Sequence, residues 1–206
     1  MDNTPFEFIG GSLCLDFANT VGGARNQANA TDQLTSYTDL LHWSREAGLI
    51  GDTAFNHLQT KALNDVSRAN DVLAEVKTLR EAIYRIFSDI ARGNTVDDTL
   101  LLDLNKAIGQ SFHHARIVRT PDGYAWGWKQ DMSLDTMEAP IVRSAADLLT
   151  APSTLSRIRE CASDHCTWLF LDETKNRSRR WCNMRTCGNA SKVHRYRARH
   201  TGNAEV

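Results

Sequence analysis

The sequence predicts an α+β protein: a mainly helical N-terminal domain carrying one β-hairpin, followed by a small C-terminal finger built around cysteines. Three observations carry this reading. Apolar residues recur at helical spacing through most of residues 34–108, the period shortens to two across 115–129, and four of the five cysteines fall within the 27 residues from Cys161 to Cys187. A chain of 206 residues, 41% hydrophobic and 24% charged, is long enough to bury a core and fits one or two domains.

Taken in order, residues 6–21, FEFIGGSLCLDFANTV, mix aromatic and apolar residues around Gly10 and Gly11. They predict an irregular or strand-like lead-in to a short buried segment, in which Cys14, between Leu13 and Leu15, reads as a small buried hydrophobe. From Leu34 to Leu49 the positions Leu34, Tyr37, Leu40, Leu41 and Ala47 follow helical spacing, and Gly48 stands where such a helix stops. A second helix is expected over 53–68 and a third over 70–91, the latter on an apolar stripe running from Val72 to Ile90 and ended by Gly93 and Asn94. Asp97 opens a shorter helix through Leu101, Leu104 and Ile108, its acidic start favoured by the helix dipole. Residues 115–129, ARIVRT-PDG-YAWGWK, read as a hairpin turning at Pro121, Asp122 and Gly123. Pro140 then starts a last helix through Ile141, Ala145 and Leu148. Pro152 breaks that pattern, which divides the chain into a domain over 1–152 and a module over 153–206.

Charge separates along the same line. Residues 1–156 hold 13 basic and 20 acidic side chains, a balance of −7, whereas residues 157–200 hold 11 and 4, a balance of +7. A strongly positive module on an acidic body seeks polyanions. Neither an export signal nor a run of roughly 20 apolar residues is visible, so the expectation is a cytoplasmic chain with no membrane partner.

An odd number of cysteines without an export signal argues for reduced thiols and metal rather than disulfides. The spacing is C-x4-C, fifteen residues, C-x4-C: Cys161 and Cys166, then Cys182 and Cys187. Two close pairs brought together by the intervening segment suit the four tetrahedral thiolates of one zinc ion. WLFLDE, the turn-like TKNRS and the returning RRW predict a hairpin between the pairs, and the last pair opens a terminal helix, which is treble-clef topology. His165, beside Cys166, is the alternative ligand at that corner. Four thiolates leave no open coordination position, so the ion is expected to be structural, ordering roughly 50 residues that have little apolar content. Neither a nucleophile–base pair nor a phosphate loop nor an open metal site is evident, so no enzyme is expected.

WLFLDETKNRSRRWCNMRTCGNASKVHRYRAR resembles the CGNR zinc finger of bacterial regulators. GGSLCLDFANTV, followed by a helix containing Trp43, is similar to the ABATE domain that precedes that finger. Ala190 stands where the motif's arginine is usual, which removes any contact that arginine makes but leaves the four cysteines in place. The resemblance implies a stress-related transcription regulator whose first domain acts as a sensor.

On the terminal helix Lys192, Arg195 and Arg199 share one side, and Arg177, Arg179 and Arg180 lie on the arm leading to Cys182. These six are the candidate nucleic-acid contacts, with binding expected to weaken as salt rises. Trp168 and Trp181 are assigned to the module's small core rather than to base stacking. In the first domain the candidate ligand contacts are Asp16, Asn19, Thr20, Trp43 and Arg80, with local capping as the competing role for the polar ones and an ion pair to Asp16 as that of Arg80. The expected partners are DNA, a small molecule in the first domain and a second copy of the chain. The competing expectation is a zinc-ordered module for RNA or protein contacts that does not itself read DNA.

Overall fold

A computed structural model describes residues 6–25, 27–28, 30–111, 115–128 and 132–193. The lead-in over 6–12 is irregular, with no strand among its residues. Ser12, in extended conformation, precedes helix α1 (Leu13–Ala18), five of whose six residues are buried. A short antiparallel pair follows, β1 (Val21–Gly22) with β2 (Thr31–Asp32). Helix α2 spans Tyr37–Glu46 rather than starting at Leu34, because Ser36 and Asp39 form a capping box that fixes the first turn.

Helix α3 (Asp52–Asn64) and the long α4 (Val66–Arg92) meet at Asp65, whose side chain accepts from the Arg68 N–H and starts the new helix. The break therefore falls a few residues before the one expected near Arg68. Helix α4 ends at Gly93 with φ 76°, a left-handed conformation that costs other residues a steric penalty. After α5 (Asp98–Ser111) comes the expected hairpin, β3 (Ala115–Thr120) with β4 (Gly123–Trp128), in the register Ile117↔Trp126. Helix α6 begins at Glu138, not Pro140, since a proline in the first turn removes only an N–H that the helix leaves unbonded. Pro152 occupies the first turn of the one-turn α7 (Pro152–Leu155).

Strand β5 (Ile158–Glu160) pairs antiparallel with β6 (Leu169–Leu171). WLFLDE thus pairs backward with residues ahead of Cys161, not forward with RRW, and the predicted hairpin between the cysteine pairs is corrected to one that brackets the first pair. The reason is burial. Ile158, Leu169 and Leu171 join the apolar cluster formed by α1, α2, α4 and α6, whereas the residues after Leu171 offer no apolar run to pair with it. Full burial of each such aliphatic side chain contributes roughly 1.5–3 kcal/mol. The N-terminal core therefore continues past residue 152 into the finger. No helix among the described residues is long and apolar enough to cross a membrane.

Candidate metal centre and nucleic-acid interface

The turn joining β5 to β6 carries Cys161 and Cys166. After β6 the chain loops out and returns, bringing Cys182 alongside, where the Ala162 N–H donates to the Arg180 carbonyl. Asn183 then caps a π-helical turn, Met184–Gly188, that presents Cys187 and runs on into helical residues 189–193. A knuckle in a hairpin followed by a helix start is the treble-clef arrangement.

The four sulfurs lie within 4.8 Å of one another. Cys166 and Cys182 Sγ are 3.7 Å apart, and Cys182 and Cys187 Sγ 3.6 Å. A tetrahedron with metal–sulfur bonds of about 2.3 Å has edges of roughly 3.8 Å, so these separations fit such an ion. The electrostatics agree. Hydrogen bonds from Cys166 and Cys182 pull the Cys161 thiol well below its ordinary pKa. Cys166 and Cys182 are pushed above theirs, in each case first by facing Cys161. Four thiolates this close repel one another, so they coexist only around a cation. His165 is exposed and reaches Gln27 at 3.5 Å, and the cluster forms without it.

Around the sulfurs the apolar content is small: Phe170 is fully buried, and Ile9, Trp168, Trp181 and Cys187 pack against it and the buried cysteines. Trp168 donates its ring N–H to the Val21 carbonyl, and Trp181 donates to Ser191 Oγ. Asp172 organises the loop after β6. It accepts from the Thr174 N–H at 3.0 Å, the Thr174 hydroxyl at 2.6 Å and the Arg179 N–H at 3.0 Å. Burial opposes its charge, but those hydrogen bonds prevail and hold its carboxyl below the usual range.

Of the six candidate nucleic-acid contacts, Arg177, Arg180 and Lys192 are exposed, and Arg195 and Arg199 lie outside the described residues. Arg179 is different. Its guanidinium donates to the carbonyls of Trp181, Leu171, Ile9 and Cys182 and lies 4.2 Å over the Phe170 ring. With its donors turned inward, to four backbone carbonyls, it braces the cysteine loop. Spacing alone places Arg179 beside Arg180 and cannot tell the inward side chain from the outward one.

The segment after α1 clasps the finger. Asn19 Nδ2 donates to the Leu169 carbonyl at 2.8 Å and its Oδ1 accepts from the Leu169 N–H at 2.9 Å. The Leu171 N–H donates to the Gly10 carbonyl at 2.8 Å.

Each of the five candidate ligand contacts is engaged within the chain, and none lines either of two cavities among the described residues. Asp16 accepts from the Gly10 N–H, and burial pushes its carboxyl up to about 6 despite backbone hydrogen bonds from Gly10 and Ile9. Thr20 donates to the Phe17 carbonyl and accepts from Arg80, while Trp43 packs against Phe17 and Phe8. Arg80 pairs with Asp32 rather than Asp16, through bonds of 2.7 and 3.0 Å. Asp32 also meets Lys77 at 2.6 Å. Burial works against the Asp32 charge, but these cations prevail and lower its carboxyl to about 2.

A cavity of about 560 Å³ lies elsewhere, between α4, α5 and α6, and none of those five residues lines it. Its residues are spread over three helices and, at Asp135, the turn before α6, so nothing local in the sequence groups them.

Fold and site together define a helical domain fused to a four-cysteine treble-clef finger. Residues 11–152 match the ABATE family, described as "Putative stress-induced transcription regulator", and residues 157–200 match the CGNR zinc finger family. The chain belongs to the ABATE family, with a CGNR zinc finger at its C-terminal end. Both families are regulatory or zinc-finger domains, not enzymes. No curated protein matches the chain at a significant level.

Proposed function

We propose that this protein is a DNA-binding transcription regulator whose finger is ordered by one structural zinc ion held by Cys161, Cys166, Cys182 and Cys187. The sulfur cluster carries the reading: four thiols within 4.8 Å, two edges at 3.6 and 3.7 Å, and only a minor apolar core around them. Zinc bound there supplies tetrahedral cross-linking of the knuckle to the helix start, with no vacant position for chemistry. Of the candidate contacts, Arg177, Arg180 and Lys192 are exposed on the described part of the finger, as are Lys175 and Arg185, and Arg195 and Arg199 are added from the sequence. These side chains position the protein on phosphates and carry no base information themselves. The acidic first domain serves as the sensing part. An effector bound there shifts DNA affinity only if it binds two arrangements of the protein unequally.

Fluorescence titration of the full chain with duplex DNA at several salt concentrations tests this. Binding to DNA should weaken with salt, with a slope of about −0.9 per phosphate neutralised. Preference for single-stranded RNA, or for an acidic protein over duplex DNA, would favour the interaction-module reading instead.

A further inference from the structure

The cavity between α4, α5 and α6 has a volume in the range of small-molecule sites, roughly 300–1,000 Å³. Buried Leu79, Ala82 and Ala139 make its apolar floor, and exposed Asp103, Lys106 and Gln110 its rim. Its charged lining is four carboxylates, Glu75, Asp103, Asp135 and Glu138, against Arg68 and Lys106.

Arg68 is already engaged, reaching Glu75 at 3.2 Å and Asp135 at 3.5 Å. Asp135 also accepts from the Ser133 hydroxyl. Glu138, the first residue of α6, has no such arrangement. Its Oε1 is buried and has no hydrogen-bond partner among the described residues, and Glu138 makes no ion pair there. Buried polar atoms in folded proteins nearly always have a partner, from the protein or from water, so this carboxylate oxygen in the cavity wall is free to accept from a guest's donor.

We propose that this cavity binds a small organic cation, an amine or guanidinium compound, with Glu138 as its counter-ion. The proposal rests on the reading of the first domain as a sensor and names the class of compound sensed. An anion would meet four carboxylates, and a neutral guest would leave their excess charge uncompensated. A metal ion needs several free oxygen ligands, and Glu75 and Asp135 are tied to Arg68. An ammonium or guanidinium group donates to Oε1 while its carbon chain lies on Leu79, Ala82 and Ala139. The Glu138 carboxyl is raised to about 7, first by burial and then by Asp135 and Glu75, with Arg68 offsetting part of this. A bound cation relieves that burden. Helix α4 also reaches the finger, because Ser88 and Arg92 hold Glu160 of β5 at 2.7 Å. Occupancy of the cavity and placement of the finger therefore bear on one helix.

Calorimetric titration of the full chain with agmatine and with 1,4-diaminobutane, against butan-1-ol and succinate, tests the proposal. The two cations should show one saturable site per chain and the controls none. Glu138→Gln should weaken cation binding at least tenfold while melting no lower than the parent without ligand. Thr78→Trp, at an exposed lining position, should plug the cavity and abolish binding without disturbing the core. Absence of saturable cation binding, equal binding of succinate, or undiminished binding by Glu138→Gln would overturn the proposal. DNA affinity with and without agmatine then separates the two claims: binding without an effect on DNA supports the site and sinks only the sensing role.

Discussion

Asn19 and Leu169 hold each other by two opposed hydrogen bonds, side-chain amide to backbone, 2.8 and 2.9 Å long and both buried. The side chain of a helix-terminal asparagine thereby acts as a third strand beside β6 and fastens the cysteine finger to the helical body. Asn19→Ala leaves the Leu169 N–H and carbonyl unpaired in a dry interface, at a cost of about 2–4 kcal/mol. Asn19→Asp keeps the acceptor and loses the donor, so chemical denaturation should rank its stability between those of the parent and the alanine variant.

Arg80 and Asp32 tie α4 to β2, with the Arg80 side chain 3% exposed. Arg80→Met should destabilise by about 2–3 kcal/mol, less than a fully uncompensated buried charge because Lys77 still reaches Asp32. The folded-state carboxyl of Asp32 lies near 2, below its unfolded value of about 4. Its contribution is present above pH 4 and is lost as pH falls from there toward 2. Urea midpoints measured across that window should drop more steeply for the parent than for Asp32→Asn.

Asp16 runs the other way. Its folded pKa of about 6 lies above the unfolded value, so the ionised form is the penalised one. Stability from this group is complete below about pH 4 and declines as pH rises through 6. Asp16→Asn keeps an acceptor for the Gly10 N–H and should match the parent at low pH. It should exceed the parent by up to about 3 kcal/mol at pH 7.5, read from urea unfolding at the two pH values.

Adjacent arginines should part company. Arg179→Ala removes donors from four carbonyls around the cysteine loop and should lower the melting temperature of the finger by several degrees. Arg180→Ala, at an exposed position, should leave the melting temperature alone and flatten the salt slope of DNA binding by about one.

How much of this was visible in the sequence depended on whether local chemistry decided the outcome. The stripe from Val72 to Phe87 belongs to α4, and the Pro121–Asp122 turn lies between β3 and β4, because period and turn residues act over a few positions. The cysteine spacing likewise pointed to a cluster that the fold assembles. What escaped were choices made by tertiary burial. Helix α1 was legible only as a short buried segment, because all but Leu13 of its residues are buried, which erases the polar face that reveals a helix. WLFLDE paired with Ile158–Glu160 because that placed Leu169 and Leu171 in a core built by distant helices. Asp16, Asn19 and Thr20 allowed either ligand contact or bonding within the chain, since buried polar groups need partners. Those partners turned out to be Gly10, Leu169 and Arg80.

One zinc ion on four thiolates is proposed to order the finger. Elemental analysis of the purified chain, repeated after treatment with a zinc chelator and paired with hydrogen exchange at residues 158–193, tests it most directly. The expected result is one zinc per chain and, on its removal, loss of amide protection around Cys161–Cys166 and Cys182–Cys187 while α4 stays protected. A chain purified without stoichiometric metal, with those same amides protected, would contradict it.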